Sequence, residues 1–139
     1  MRAWLLAAGL VAAGFATPAL AIDKLLCISD QATGFKLSEN GRWEQVNFNV
    51  GDERYLVQRE GQARAWTVKK FGSNEIATVC EMVGEITIYC GSFVRGGGSR
   101  GWHINLMSLR FVEFDGGGYV SDAHVWDAWL TIGRCSPLQ

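Results

Sequence analysis

His103 and His124 are the only two histidines in the 139-residue chain. With Asp122 and Asp127 they are the side-chain types from which a metal site or a proton-transfer pair is built. The spacing Asp122-x-His124 matches no compact ligand motif, and two isolated histidines are ordinarily plain polar residues. The expectation is therefore no metal and no cofactor. Ser99 and Ser108 supply hydroxyls, but no G-x-S-x-G elbow presents either as a nucleophile. Asp115, Asp122 and Asp127 gather near the C-terminal loops, where a pair of carboxylates at the right separation could serve glycoside hydrolysis. As turn residues they are expected to be solvated. Residues 95–101 (RGGGSRG) place Arg95 and Arg100 in a glycine loop of the kind that can aim backbone N–H groups at phosphate. The pattern G-x-x-x-x-G-K-[ST] is missing and no helix follows, so a mobile hairpin loop with two solvated arginines is expected.

Loops of this composition still carry recognition, and an exposed Trp can anchor a partner or a sugar ring. The contact residues expected are Arg95, Arg100 and Trp102 around the first glycine run, and Tyr119 and Trp126 around the second. Alternation puts Trp129 on the side of Thr131 and Gly133; the plain alternative for Trp126 and Trp129 is that both belong to the core.

The elements that must hold these loops are strands. Residues 1–21 read as a secretory signal peptide: Arg2 supplies a positive charge, an apolar run follows, and Ala19-Leu20-Ala21 forms an A-x-A cleavage site. The apolar run is shorter than the ~20 residues a membrane span needs. Removing 21 of the 139 residues leaves 118, which suits a single domain over 22–139. The 13 Lys and Arg, less Arg2, stand against 14 Asp and Glu, a formal charge of −2. That balance excludes a basic nucleic-acid footprint and a polybasic membrane surface.

Within the mature part, eight or nine short apolar runs recur about every ten residues, separated by Gly, Asn and Asp. Asn40-Gly41 lies between two alternating runs, the strongest short hairpin signal because both residues tolerate positive φ. None of the runs keeps a 3.6-residue period. The fold class expected is all-β, a small antiparallel barrel or sandwich of about eight strands, with 122–128 (DAHVWDA) as a loop or a single helical turn.

Four cysteines in an exported chain imply two disulfides, so none is expected to act as a nucleophile. If Met82 faces Ile88 across a hairpin, Cys80 falls opposite Cys90 and the four residues share one face. Cys27 and Cys135 then clasp the first and last strands. Loop entropy assigns these bridges about 2.8 and about 4.8 kcal/mol, and assigns the alternative, Cys27–Cys80 with Cys90–Cys135, about 4.2 and about 4.0. Those sums do not separate the two pairings; hairpin geometry favours the first.

Gly34-Phe35, residues 41–43 (GRW), Asn47-Phe48, residues 65–72 (AWTVKKFG), the cysteine pair, residues 109–111 (LRF), Gly118-Tyr119 and residues 132–138 (IGRCSPL) occur in an order that resembles a family of small uncharacterised exported bacterial proteins. The resemblance spans nearly the whole mature chain and implies export, cysteine pairing and fold, with no activity attached. A looser analogy runs to exported lysozyme-inhibitor domains, which are small β-barrels with cysteines. The expected function is accordingly a non-catalytic binding or interaction module in the periplasm or outside the cell, acting on an envelope or extracellular protein or glycan. An inhibitor of a secreted hydrolase such as lysozyme is the alternative.

Overall fold

A computed structural model of the chain describes residues 22–61, 65–94, 98–120 and 127–139. Period-two alternation there produces nine strands: β1 (Lys24–Leu37), β2 (Trp43–Phe48), β3 (Arg54–Arg59), β4 (Ala65–Lys70), β5 (Ile76–Val83), β6 (Thr87–Val94), β7 (Gly98–Asn105), β8 (Arg110–Asp115) and β9 (Ala128–Pro137). One helical turn, α1 (Gly117–Val120), precedes β9. Each strand from β3 to β8 pairs antiparallel with the next. β9 then returns to β1 along nearly its full length. The result is a closed antiparallel barrel of eight strands. Closure decides barrel over sandwich, and it leaves those eight strands without an open edge.

β2 is the ninth strand and lies outside the ring. β1 is long enough to have two partners on one edge: β3 against Lys24 to Ile28, and β2 against Ala32 to Leu37. The switch between them coincides with a bulge at Ser29/Gln31 in the pairing with β9. The sequence breaks β1 into two runs at Asp30-Gln31, yet the chain stays extended through them. Asp30 is the extra residue of the bulge, and its carboxylate accepts two hydrogen bonds from Arg134 on β9, at 2.9 and 3.0 Å. One added residue reverses the alternation. Leu25, Cys27 and Ser29 are buried before the bulge, and Gly34 after it.

The seam between β1 and β9 is also unusually close. A Cβ on Gly34 would strike the Ala128 carbonyl, and one on Gly133 the Ile28 carbonyl and the Phe111 ring. Glycine is needed at both positions for space.

The core fills the barrel. Trp102 stacks on Phe111 with ring centroids 5.2 Å apart and meets the Tyr55 ring edge-on at 4.6 Å. Trp66, Val57, Val68, Leu25, Ile88 and Ile104 are fully buried around them. Both disulfides lie in this interior. Cys80 pairs with Cys90 across β5 and β6, with Met82 opposite Ile88, and Cys27 pairs with Cys135 across β1 and β9. This is the pairing hairpin geometry favours.

Candidate binding cavity at the barrel mouth

Inward alternation on β7, β8 and β9 brings Arg100, Asp115 and Trp129 to one end of the barrel. Arg100 and Asp115 are register partners, as are Asp115 and Trp129. Tyr55 enters from the start of β3, and Phe48, Asn49 and Val50 from the end of β2. Together with Glu53, Asp127 and Thr131 they line a cavity of about 390 Å³. The mouth of a small barrel is a common place for a ligand site.

Glu113 lies beneath the cavity. It is 0 % exposed, one inward step below Asp115 and directly opposite Thr131 and Trp102. Arg100 reaches it diagonally. Nε and Nη2 both donate to Glu113 Oε1, at 3.0 and 2.6 Å. Glu113 Oε2 is buried without a hydrogen-bond partner among the described residues. Burial pushes the Glu113 carboxyl up to about 7, against the opposing pull of Arg100 and a smaller one from the Trp102 indole. Burial acts against the charge on Arg100 too, but the hydrogen bonds and charge of Glu113 leave the guanidinium above its ordinary value. The guanidinium carbon sits 5.4 Å from the centre of the Trp129 ring, within cation–π range.

Tyr55 donates from its hydroxyl to Glu53 Oε2 at 3.2 Å. Burial, followed by the charges of Glu113 and Glu53, raises its phenol well above the ordinary range. At the rim, Asp115 Oδ1 accepts the Gly117 N–H at 2.9 Å, which turns the chain into α1.

The expected contact residues are distributed unevenly. Arg95 and Trp126 lie outside the described residues, as do Asp122 and His124. Arg100 was expected as a solvated arginine in a loop; its side chain is 48 % exposed, but it belongs to β7, which begins before it, and is ion-paired to buried Glu113. Trp102 is 2 % exposed and is core, the inward neighbour of Ile104. Tyr119 is 62 % exposed on α1 and meets the Trp43 ring edge-on at 5.4 Å. His103 is on the outer face of β7, its ring against Tyr89 and Phe114. Asp115, Asp127 and Trp129 are brought together at the mouth. Glu113, Tyr55 and Glu53 were not anticipated. Residues 109–114 (LRFVEF) are apolar in either phase of alternation, and the phase that buries Phe111 is also the one that buries Glu113.

No family model matches the chain, and neither does any curated protein or solved structure. The chemistry of the mouth must therefore be read from its own side chains. It offers aromatic surface from Phe48, Tyr55 and Trp129, carboxylates from Glu53, Asp115 and Asp127, and one guanidinium that is already neutralised from below. A carboxyl titrating near neutrality can move protons. To act as a general acid or base it must also reach the substrate; Glu113 is not among the described residues that line the cavity, though its neighbours Arg100 and Thr131 are.

Proposed function

We propose that the protein is an exported, non-catalytic binding module whose ligand enters the barrel mouth. One observation carries this reading: a cavity of about 390 Å³ with aromatic and carboxylate walls, above an Arg100–Glu113 pair that fixes the orientation of the cation among its described lining residues. A half-exposed guanidinium tied by two hydrogen bonds to a buried carboxylate has a restricted orientation, and a pre-organised site loses less entropy on binding. Export is supported by the signal-like residues 1–21, by the resemblance to small exported bacterial proteins, and by two buried disulfides of the sort that persist in oxidising compartments.

The test is a tryptophan-fluorescence titration of the mature protein against soluble envelope glycans, peptides and small polar metabolites, with Trp129→Phe as the reference. A saturable change that the variant lacks is expected for at least one class. Turnover of a glycan, ester or peptide by the purified, cofactor-free protein would overturn the non-catalytic reading. Saturation that Trp129→Phe leaves untouched would move the site elsewhere.

A further inference from the structure

Three places in the molecule offer themselves as something more than scaffold. The outer groove between Phe35, Phe114 and Leu130 is apolar, and nothing around it selects an occupant. The groove along Asp30, Asn47 and Ile132 mixes polar and apolar residues, with no charge or shape that selects an occupant. The barrel mouth differs from both, because beneath it lies a fully buried carboxylate oxygen that makes no hydrogen bond of good geometry among the described residues.

From this geometry we infer that the ligand of the mouth is a small organic cation bearing N–H donors, an ammonium or guanidinium group on a short apolar or sugar body. The inference rests on the mouth being the binding site. Three observations converge on it. The first is charge. Glu53, Asp115 and Asp127 line the cavity, and the cation among the described lining residues, Arg100, spends two of its donors on Glu113 Oε1. An anion entering would meet three carboxylates, whereas a cation would meet a field that attracts it.

The second is the free acceptor. Glu113 Oε2 is fully buried and makes no hydrogen bond of good geometry among the described residues, the nearest support for the carboxyl besides Arg100 being the Trp102 indole across the strand. A buried acceptor left unpaired is costly, so a donor that reaches it is worth more than one in water. Thr131, across the strand from Glu113, and Arg100, bonded to it, are both cavity walls, so the acceptor lies just under the lining. The third is the wall. Tyr55, Phe48 and Trp129 give apolar and π surface on which the carbon body of an amine or amino sugar can rest.

A dependence on pH follows. The charged or titratable groups around Glu113 are Arg100 on β7, Tyr55 on β3 with Glu53 before it, Asp115 further along β8, and Asp127 before β9. Burial holds the Glu113 carboxyl near neutrality, at about 7. As pH rises through that value Glu113 ionises, and the cation should bind more tightly. Added salt should weaken binding.

The experiment is isothermal titration of the mature protein at pH 8 with n-butylamine, glucosamine and an N-acetylated tetrapeptide containing one lysine, which separate a free amine, an amino sugar and a peptide as the source. The matched controls are n-butanol, glucose and butyrate, with tetramethylammonium as a cation that lacks N–H donors. At least one N–H cation is expected to bind saturably, about fivefold or more tighter than its neutral match. Binding should weaken by a similar factor in Asp115→Asn, which leaves the core untouched, and in Glu113→Gln. Tetramethylammonium binding as tightly as the amines would overturn the role given to the free oxygen. Neutral or anionic controls binding best, with the signal lost in Trp129→Phe, would sink the cation inference and leave the mouth as the site. Silence from every class up to millimolar concentration would sink both.

Discussion

Glu113 is the residue whose environment departs furthest from its type. A carboxyl moved from water into a barrel interior disfavours its own charge, and one guanidinium compensates only in part. Its pKa in the folded chain, about 7, is above the 4.5 of an ordinary Glu. The folded state therefore holds a proton that the unfolded state has released between those values. That contribution to stability is complete below about 4.5 and is lost as pH rises through about 7. Thermal or denaturant unfolding should show stability falling across this window, with a slope approaching about 1.4 kcal/mol per pH unit. Glu113→Gln should flatten the slope. Asp30 and Glu60, whose carboxyls are held below their ordinary values by hydrogen bonds, contribute the opposite slope at more acid pH, so the variant's difference from wild type is the quantity to read. Replacing the cation tests the same pair from the other side. Arg100→Met should destabilise the protein by about 1–2 kcal/mol at pH 8, a figure reduced for the half-exposed position of Arg100, because a buried carboxylate loses its cation, and by clearly less at pH 5, where Glu113 is protonated. Equal losses at the two pH values would mean that Arg100 acts through packing alone.

At the scale of elements, the β1–β9 seam bears the closing of the barrel. Gly34 and Gly133 let two backbones approach where a methyl would collide with a carbonyl. Neither carries a positive φ, so the requirement is room, not backbone freedom. Gly133→Ala should cost about 3 kcal/mol or more by overpacking, measured by urea unfolding. Gly84, at the β5–β6 turn with φ of 68° and open space around it, offers a contrast, since alanine there suffers only from conformation, about 1 kcal/mol. The ranking of the two would reverse if the seam could relax. The bulge at Ser29/Gln31 belongs to the same element, and its consequence for the mouth is direct. By reversing the alternation of β1 it turns Ala32 towards the cavity and frees one edge of β1 for β2, whose end supplies Phe48.

For the whole molecule, the two disulfides differ in what they constrain. Cys27–Cys135 closes a separation of 108 residues and Cys80–Cys90 one of 10. On chain entropy the first contributes about 4.8 kcal/mol and the second about 2.8. The Cys27→Ser/Cys135→Ser double variant should therefore lose more stability in chemical denaturation than Cys80→Ser/Cys90→Ser. The long bridge also joins the strands that shut the barrel, so its loss should loosen the mouth and weaken any ligand that enters there. The short bridge lies across β5 and β6, strands that supply none of the described residues lining the cavity. Removing it should lower stability and leave binding within about twofold. Equal effects on binding from the two double variants would show that the mouth responds to stability in general.

What the sequence determined by itself is local. Alternation, Asn-Gly and glycine turns, and two-residue periodicity across residues 76–90 were enough for an all-β chain, for most strand positions and for Cys80 opposite Cys90, because each depends on neighbours within about ten residues. The register also carried the inward face shared by Trp129, Thr131 and Gly133. Only the tertiary structure decided closure, the continuity of β1 and the composition of the mouth. Those depend on residues far apart in the chain: Asp30 held by Arg134, Glu113 by Arg100, and Tyr55 against Trp102. The clearest case is Glu113. Residues 109–114 are apolar in both phases of alternation, so only the packing of Phe111 against Trp102 selects the phase that carries a carboxylate into the core.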